Sequence, residues 1–301
     1  MCCLFGLLDT QNRMSGENKT KLLHLLALEA EARGTDASGV AYHDAGRLVI
    51  RKAPVPGHKL KFRIPDGTVA VMGHTRMTTQ GNEKINRNNH PFRGKTRDGA
   101  FALAHNGVLW NDKELRETLY LPPTNIETDS YIAVQLIELQ RSLDFFSLKY
   151  MAEQIEGSFT FTALDASDSL YIVKGDSPLC IYRLPASGLY VYASTEAILL
   201  AALSQFGMSV RRAEKVKNES GGILKINQYG RITRGNFDDA KLRRNPWGDM
   251  CCVQTGQMPL EQEELRKTAA WLGYPLELID CCMERGYTPS EIRELLDMGN
   301  L

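Results

Sequence analysis

The chain has 301 residues, 43% apolar, 24% charged and 8% aromatic, with Lys plus Arg and Asp plus Glu each totalling 36. That length can bury a sizeable core, and the composition excludes extended disorder. A net charge of zero gives no bulk attraction to nucleic acid, anionic membrane or acidic substrates, so partners have to be read from local features.

No run approaches the roughly 18 uninterrupted apolar residues of a membrane span. The first ten residues, MCCLFGLLDT, are apolar only briefly and lack a basic lead-in, so no secretory signal is expected and a cytoplasmic location is. The seven cysteines, at 2, 3, 180, 251, 252, 281 and 282, are odd in number and dominated by adjacent pairs. That spacing suits neither a disulfide scaffold nor a zinc site. The six histidines show no HxxxH or HExxH pair, so neither a metal nor another cofactor is expected.

In chain order, Leu23, Leu26, Ala27 and Ala30 share one helical face and predict a helix over 20–32, with Gly34 as its stop. GVAYH and RLVIRK flank Asp44-Ala45-Gly46 and predict a hairpin. TVAVMGHTR from 68 and AFALAH from 100 are strands, and the long polar segment between them is a functional-loop candidate. NDKELRETL and TDSYIAVQLIELQ predict helices, the second opening with Thr128 as cap and Asp129 in its first turn. SLKYMAEQIE is a third, ended by Gly157. GSFTFT, LYIVK, LCIYR and LYVYA then follow as one antiparallel sheet with a buried face, Ser194-Thr195-Glu196 starts the helix AILLAAL, and GILKI and GRITR complete the block. This order predicts an α+β fold with helices outside two antiparallel sheets. Residues 236–258 predict a linker and 259–301 a small three-helix segment, opened by Pro259, broken at Gly273 and Gly286, and resumed by the capping sequence Thr288-Pro289-Ser290-Glu291.

The second residue carries the most chemistry. Met aminopeptidases remove an initiator that precedes a small side chain, and this would leave Cys2 with a free α-amine. A thiol with a reference pKa of about 8.5 and an amine of about 8 on one residue make a nucleophile with its own base. On this position alone, a cysteine that merely follows the start residue is the simpler reading. Asn106-Gly107, likewise, is by itself a common turn signal. The basic stretch 47–63 has no aromatic interleaving and reads as a solvated face rather than a nucleic-acid site, and RGTDASG lacks the GK[ST] of a phosphate loop.

Six segments change the balance: MCCLFG, RGTDASG at 33–39, GHTRMTTQG at 73–81, NHPF at 89–92, AHNG at 104–107 and ETDS at 127–130. In this order they resemble the glutaminase domain of class II glutamine amidotransferases, a family of N-terminal-nucleophile hydrolases with an αββα four-layer sandwich. The resemblance covers about residues 2–235 and continues through GSFTFT, KGDSPLCIY and VYASTEA. It implies that Cys2 attacks a glutamine side-chain amide and that Asn106, by its side chain, and Gly107, by its backbone N–H, hold the oxyanion. Arg76 would bind the α-carboxylate, Thr79 would add a nearby hydroxyl, Asp129 would hold the α-ammonium, and Arg33 and Gly34 would order the nucleophile. Three departures stand out: Cys3 replaces the usual Gly after the nucleophile and places a second thiol there, and Met77 and Gln80 replace a frequent aromatic residue and a frequent His. The implied reaction releases ammonia and glutamate. The residues after Gly235 are too few for a sugar isomerase, phosphoribosyltransferase or ATP-using synthetase, so a separate ammonia-acceptor enzyme, or none, is expected. The alternatives are hydrolysis of another γ-glutamyl compound and a catalytically silent interaction protein on the same fold.

Overall fold

The computed structural model describes residues 2–243 together with Leu265, Thr268, Ala269, Tyr274, Ile279, Ile292, Arg293, Leu295 and Leu296. The chain divides into two units, Met1–Asn245 and Pro246–Leu301. The first unit runs β1 (Cys3–Asp9), α1 (Gly16–Glu29), β2 (Ala37–Asp44), β3 (Arg47–Ala53), β4 (Ala70–Arg76), β5 (Phe92–Thr96), β6 (Gly99–Leu109), α2 (Asp112–Thr118), α3 (Tyr131–Gln140), α4 (Phe145–Gln154), β7 (Gly157–Leu164), β8 (Leu170–Lys174), β9 (Cys180–Leu184), β10 (Leu189–Ala193), α5 (Glu196–Phe206), β11 (Glu214–Lys215), β12 (Gly222–Ile226) and β13 (Ile232–Asn236).

These strands make two antiparallel sheets, ordered β11-β9-β10-β1-β4-β2-β3 and β13-β12-β8-β7-β6-β5. Because successive strand side chains point to opposite faces, each sheet buries both. On β1, Cys3, Phe5 and Leu7 pack under α1 and α5, while Leu4 and Leu8 enter the layer between the sheets. On β6, Phe101 and Leu103 pack under α3 and α4, and Ala102 and Ala104 face the first sheet. The result is the αββα sandwich that the sequence leads one to expect. Among the described residues, no helix is long and apolar enough to cross a membrane.

Several local expectations differ from the structure. β1 carries no polar alternation to mark it as a strand, because all seven of its residues are buried. The run read as one sheet is split: β7 and β8 belong to the second sheet, β9 and β10 to the first. Alternation shows which faces are buried and says nothing about which neighbour a strand pairs with. The first helix starts earlier than predicted, because Ser15 caps it by accepting from Asn18 N, and it ends in a 3-10 turn over Ala30–Ala32. Thr128 does not cap α3 with its side chain, although its carbonyl accepts from Tyr131 N at 3.1 Å. Its hydroxyl donates to Asn88 O at 2.7 Å, and α3 begins only at Tyr131. α4 is capped by Asp144 and Ser147 and ends at Gln154, before Gly157, which opens β7.

The predicted linker also begins too early. β13 extends to Asn236, and Phe237 is buried with its ring 5.8 Å from Phe159, so residues 236 and 237 still belong to the sandwich. Residues 244–258 lie outside the described set, as do Pro259, Gly273, Gly286 and Thr288-Pro289-Ser290-Glu291. In the second unit, Leu265, Ala269, Ile279, Ile292 and Leu296 form a small buried cluster against which Tyr274 packs. Leu265, Thr268, Ala269, Ile279, Ile292, Arg293, Leu295 and Leu296 are helical.

Candidate active site

Cys2 stands half-buried at the head of β1, in the middle of the first sheet. Two neighbours hold it. Arg33 Nε donates to the Cys2 carbonyl at 2.9 Å, and the Cys2 thiol donates to the Met77 carbonyl at 3.5 Å. Cys3 alternates to the other face, where it is fully buried in the core under α1 and α5. Burial pushes its thiol up to about 11. The second sulfur is therefore part of the packing and not a neighbour in the site.

Gly34 fixes the other side of the Cys2 clamp. It is not a left-handed helix stop; a side chain there would put Cβ 2.5 Å from the Arg76 carbonyl carbon and 2.6 Å from Met77 N. Asp36, which carried no role in the sequence reading, completes the grip: its N–H donates to Arg76 O at 3.0 Å, and its carboxylate accepts from Thr78 N at 2.7 Å. The segment 33–36 thus holds both the Cys2 carbonyl and the backbone to which the thiol donates.

Arg76 ends β4 and is almost wholly buried. Its guanidinium donates to Asn89 Oδ1 at 2.6 Å and to the Gln80 and Gly81 carbonyls at 2.5 and 3.2 Å. These bonds fix the plane of the fork. Asn89, from the NHPF segment, is a supporting residue that the sequence reading left without a task; the asparagine-rich polar loop was the signal for it. Gln80 also ties the loop, donating to Glu127 O at 3.0 Å. Thr79 stands on the exposed part of the loop.

Asn106 and Gly107 do not form a turn. Both continue β6 and pair with Thr160 and Phe159 of β7. Gly107 has φ +144°, and a Cβ on it would lie 1.9 Å from Ser158 O, so only glycine fits. Asn106 is buried, and its Nδ2 has no hydrogen-bond partner. Buried polar groups are normally paired, so an orphaned amide donor in the core calls for an explanation. Asp129 is buried in the turn before α3, and its Oδ2 accepts from Leu109 N at 2.7 Å.

Electrostatics link the set. Burial pushes the Cys2 thiol up; the Met77 backbone and the Arg76 charge oppose that, and Asp129 adds to it. Around them lie three buried imidazoles. His74 Nε2 donates to His105 O at 2.9 Å, and the His74 and His90 rings lie 4.2 Å apart. Burial lowers all three, His74 to about 3, so they are neutral. The histidines show no paired spacing in sequence, yet the fold gathers half of the six.

Comparison with known proteins gives a consistent assignment. Residues 74–201 match the family described as glutamine amidotransferase domain. The chain is 32% identical over 192 residues to glutamine–fructose-6-phosphate aminotransferase (isomerizing) of Streptococcus agalactiae, covering 60% of this chain and 30% of that protein. It is 30% identical over 252 residues to the protein of the same name from Lactococcus lactis, covering 80% and 40%. The chain thus spans well under half the length of these relatives. Among solved structures, the glutamine phosphoribosylpyrophosphate amidotransferase from B. subtilis superposes with a TM-score of 0.60 at 21% identity, over 79% of this chain and 49% of that one. The sequence matches identify a glutamine amidotransferase domain in the chain, and the superposition agrees in fold.

Proposed function

We propose that this domain hydrolyses the side-chain amide of glutamine through a γ-glutamyl thioester on Cys2. The observation that carries the reading is the buried Asn106 Nδ2, which has a donor and nothing to give it to, next to a glycine whose backbone tolerates no side chain. A developing oxyanion is the acceptor such a pair of donors suits.

In the proposed reaction, removal of Met1 frees the Cys2 amine. The thiol proton passes to that amine, directly or through water, as sulfur bonds to the amide carbon. Asn106 Nδ2 and Gly107 N–H take the oxyanion. The amine then hands its proton to the departing nitrogen, the C–N bond breaks and ammonia leaves. Water, deprotonated by the same amine, cleaves the C–S bond and releases glutamate. Arg76 would read the substrate's α-carboxylate, Asp129 its α-ammonium and Thr79 would add a hydroxyl once the loop meets the ligand. Arg33 and Gly34 hold the nucleophile in place. Ammonia would pass to a separate acceptor enzyme, or be the end product of a glutaminase.

The test is to treat processed protein with a glutamine-analogue diazoketone and map the adduct by mass spectrometry, alongside ammonia release from glutamine. Adduct on Cys2 that glutamine blocks, with turnover lost in Cys2→Ala, is expected. Intact folded protein that takes no label at Cys2, or a Cys2→Ala variant that still releases ammonia, would overturn the reading.

A further inference from the structure

The oxyanion donors and the acid proposed for the substrate's ammonium lie on different elements, yet hydrogen bonds join them into one frame. Both carboxylate oxygens of Asp129 lead back to β6. Oδ2 accepts directly from Leu109 N at 2.7 Å. Oδ1 accepts from Ser130 Oγ at 3.3 Å, and that hydroxyl lies 2.7 Å from His105 Nδ1. Ser130 and His105 are almost completely buried. The imidazole is itself immobilised: it stacks on Phe161 with ring centroids 4.5 Å apart, and its own carbonyl accepts from His74 Nε2. The two anchor points, 105 and 109, bracket Asn106 and Gly107.

We propose that Ser130 is a positioning residue for the ammonium end of the substrate: its hydroxyl, set by His105, fixes the rotation of the Asp129 carboxylate relative to the strand that carries the oxyanion donors. The inference rests on the glutamine reading above. Leu109 N alone leaves the carboxylate able to turn about its anchor. The Ser130 bond removes that freedom before substrate arrives, so no binding energy is spent ordering it. A group of this kind acts on recognition of the α-amine and leaves the chemistry at the amide carbon alone.

The experiment compares glutamine with 4-carbamoylbutanoate, the same carboxylate and amide without the α-amine, in wild type, Ser130→Ala and Ser130→Thr, with thermal melting of each protein. Ser130→Ala is expected to raise KM for glutamine about fivefold to tenfold with kcat within about twofold, the signature of lost uniform binding. Its kcat/KM for 4-carbamoylbutanoate should stay within about twofold of wild type, and Ser130→Thr should restore glutamine KM. Should the alanine variant fail to fold, Ser130→Cys, close in shape and a weak donor, is expected to show the same selective loss. Equal losses on both substrates, or no loss on either, in folded protein would overturn the inference while leaving the glutamine reading standing. Wild-type protein that turns over no glutamine would overturn both.

Discussion

Asn106 is where stability and activity are set against each other. A buried amide donor without a partner carries a desolvation cost of about 1–3 kcal/mol. Replacing it with alanine removes that orphan, so Asn106→Ala is expected to melt at or above the wild-type temperature while losing about 100- to 1,000-fold in kcat, the usual result of deleting one oxyanion donor. Calorimetry paired with ammonia release checks both halves; a variant that loses activity by unfolding would place Asn106 in the packing instead. Cys3 should behave in the opposite way. Since it lies in the core beneath α1 and α5, Cys3→Ala is expected to lower stability by about 1–2 kcal/mol through the cavity it leaves, with labelling of Cys2 unchanged. Denaturant titration gives the first quantity and adduct mass the second.

At the scale of elements, the turn over 33–36 connects the end of α1 to both the nucleophile and β4. Gly34→Ala would drive a methyl into the Arg76–Met77 backbone, which is rigid peptide and cannot yield as a side-chain tip would. That shift displaces the carbonyl to which Cys2 donates and the arginine together, so kcat/KM for glutamine is expected to fall by about 100-fold or more. Asp36→Asn keeps the turn but weakens the acceptor for Thr78 N, and a milder loss of about three- to tenfold is expected. Steady-state kinetics of the two variants ranks them; the reverse order would show that Asp36 and not the close packing controls the site. Much of this architecture could be read from residues alone, and the parts that could not share a cause. The hairpin at Asp44-Ala45-Gly46 and α5 with its Thr195 cap follow from local patterning, and the ordered motifs pointed to Arg33, Arg76 and Asp129, which the fold sets around Cys2. What escaped is long-range: Asn89 meeting Arg76, Asp36 meeting Thr78 and Ser130 meeting His105 depend on strand pairing that alternation does not specify. Gly34 was legible as a helix stop and, from its motif, as a residue that orders the nucleophile, but only the fold shows which backbone passes over it.

Across the whole first unit, the two sheets are tied near the candidate site by neutral histidines buried where charge is not tolerated. His74 on β4 of the first sheet donates to the carbonyl of His105 on β6 of the second. Burial holds His74, His90 and His105 below their ordinary range, His74 at about 3, whereas the unfolded chain titrates near 6.5. The unfolded state therefore binds more protons as pH falls. Stability from these groups is complete above about pH 6.5 and declines as pH falls below it, for His74 down to about pH 3 and by as much as about 1.4 kcal/mol per pH unit. Between pH 6.5 and 5 most carboxylates have yet to titrate, which isolates the effect. The melting temperature is expected to fall steadily through that interval, and His74→Asn, which keeps a donor for the His105 carbonyl but cannot protonate, should flatten the slope while lowering stability at pH 7. A slope unchanged by the substitution would mean that the His74 imidazole does not resist protonation, and that the join between the sheets is wetter than its packing implies.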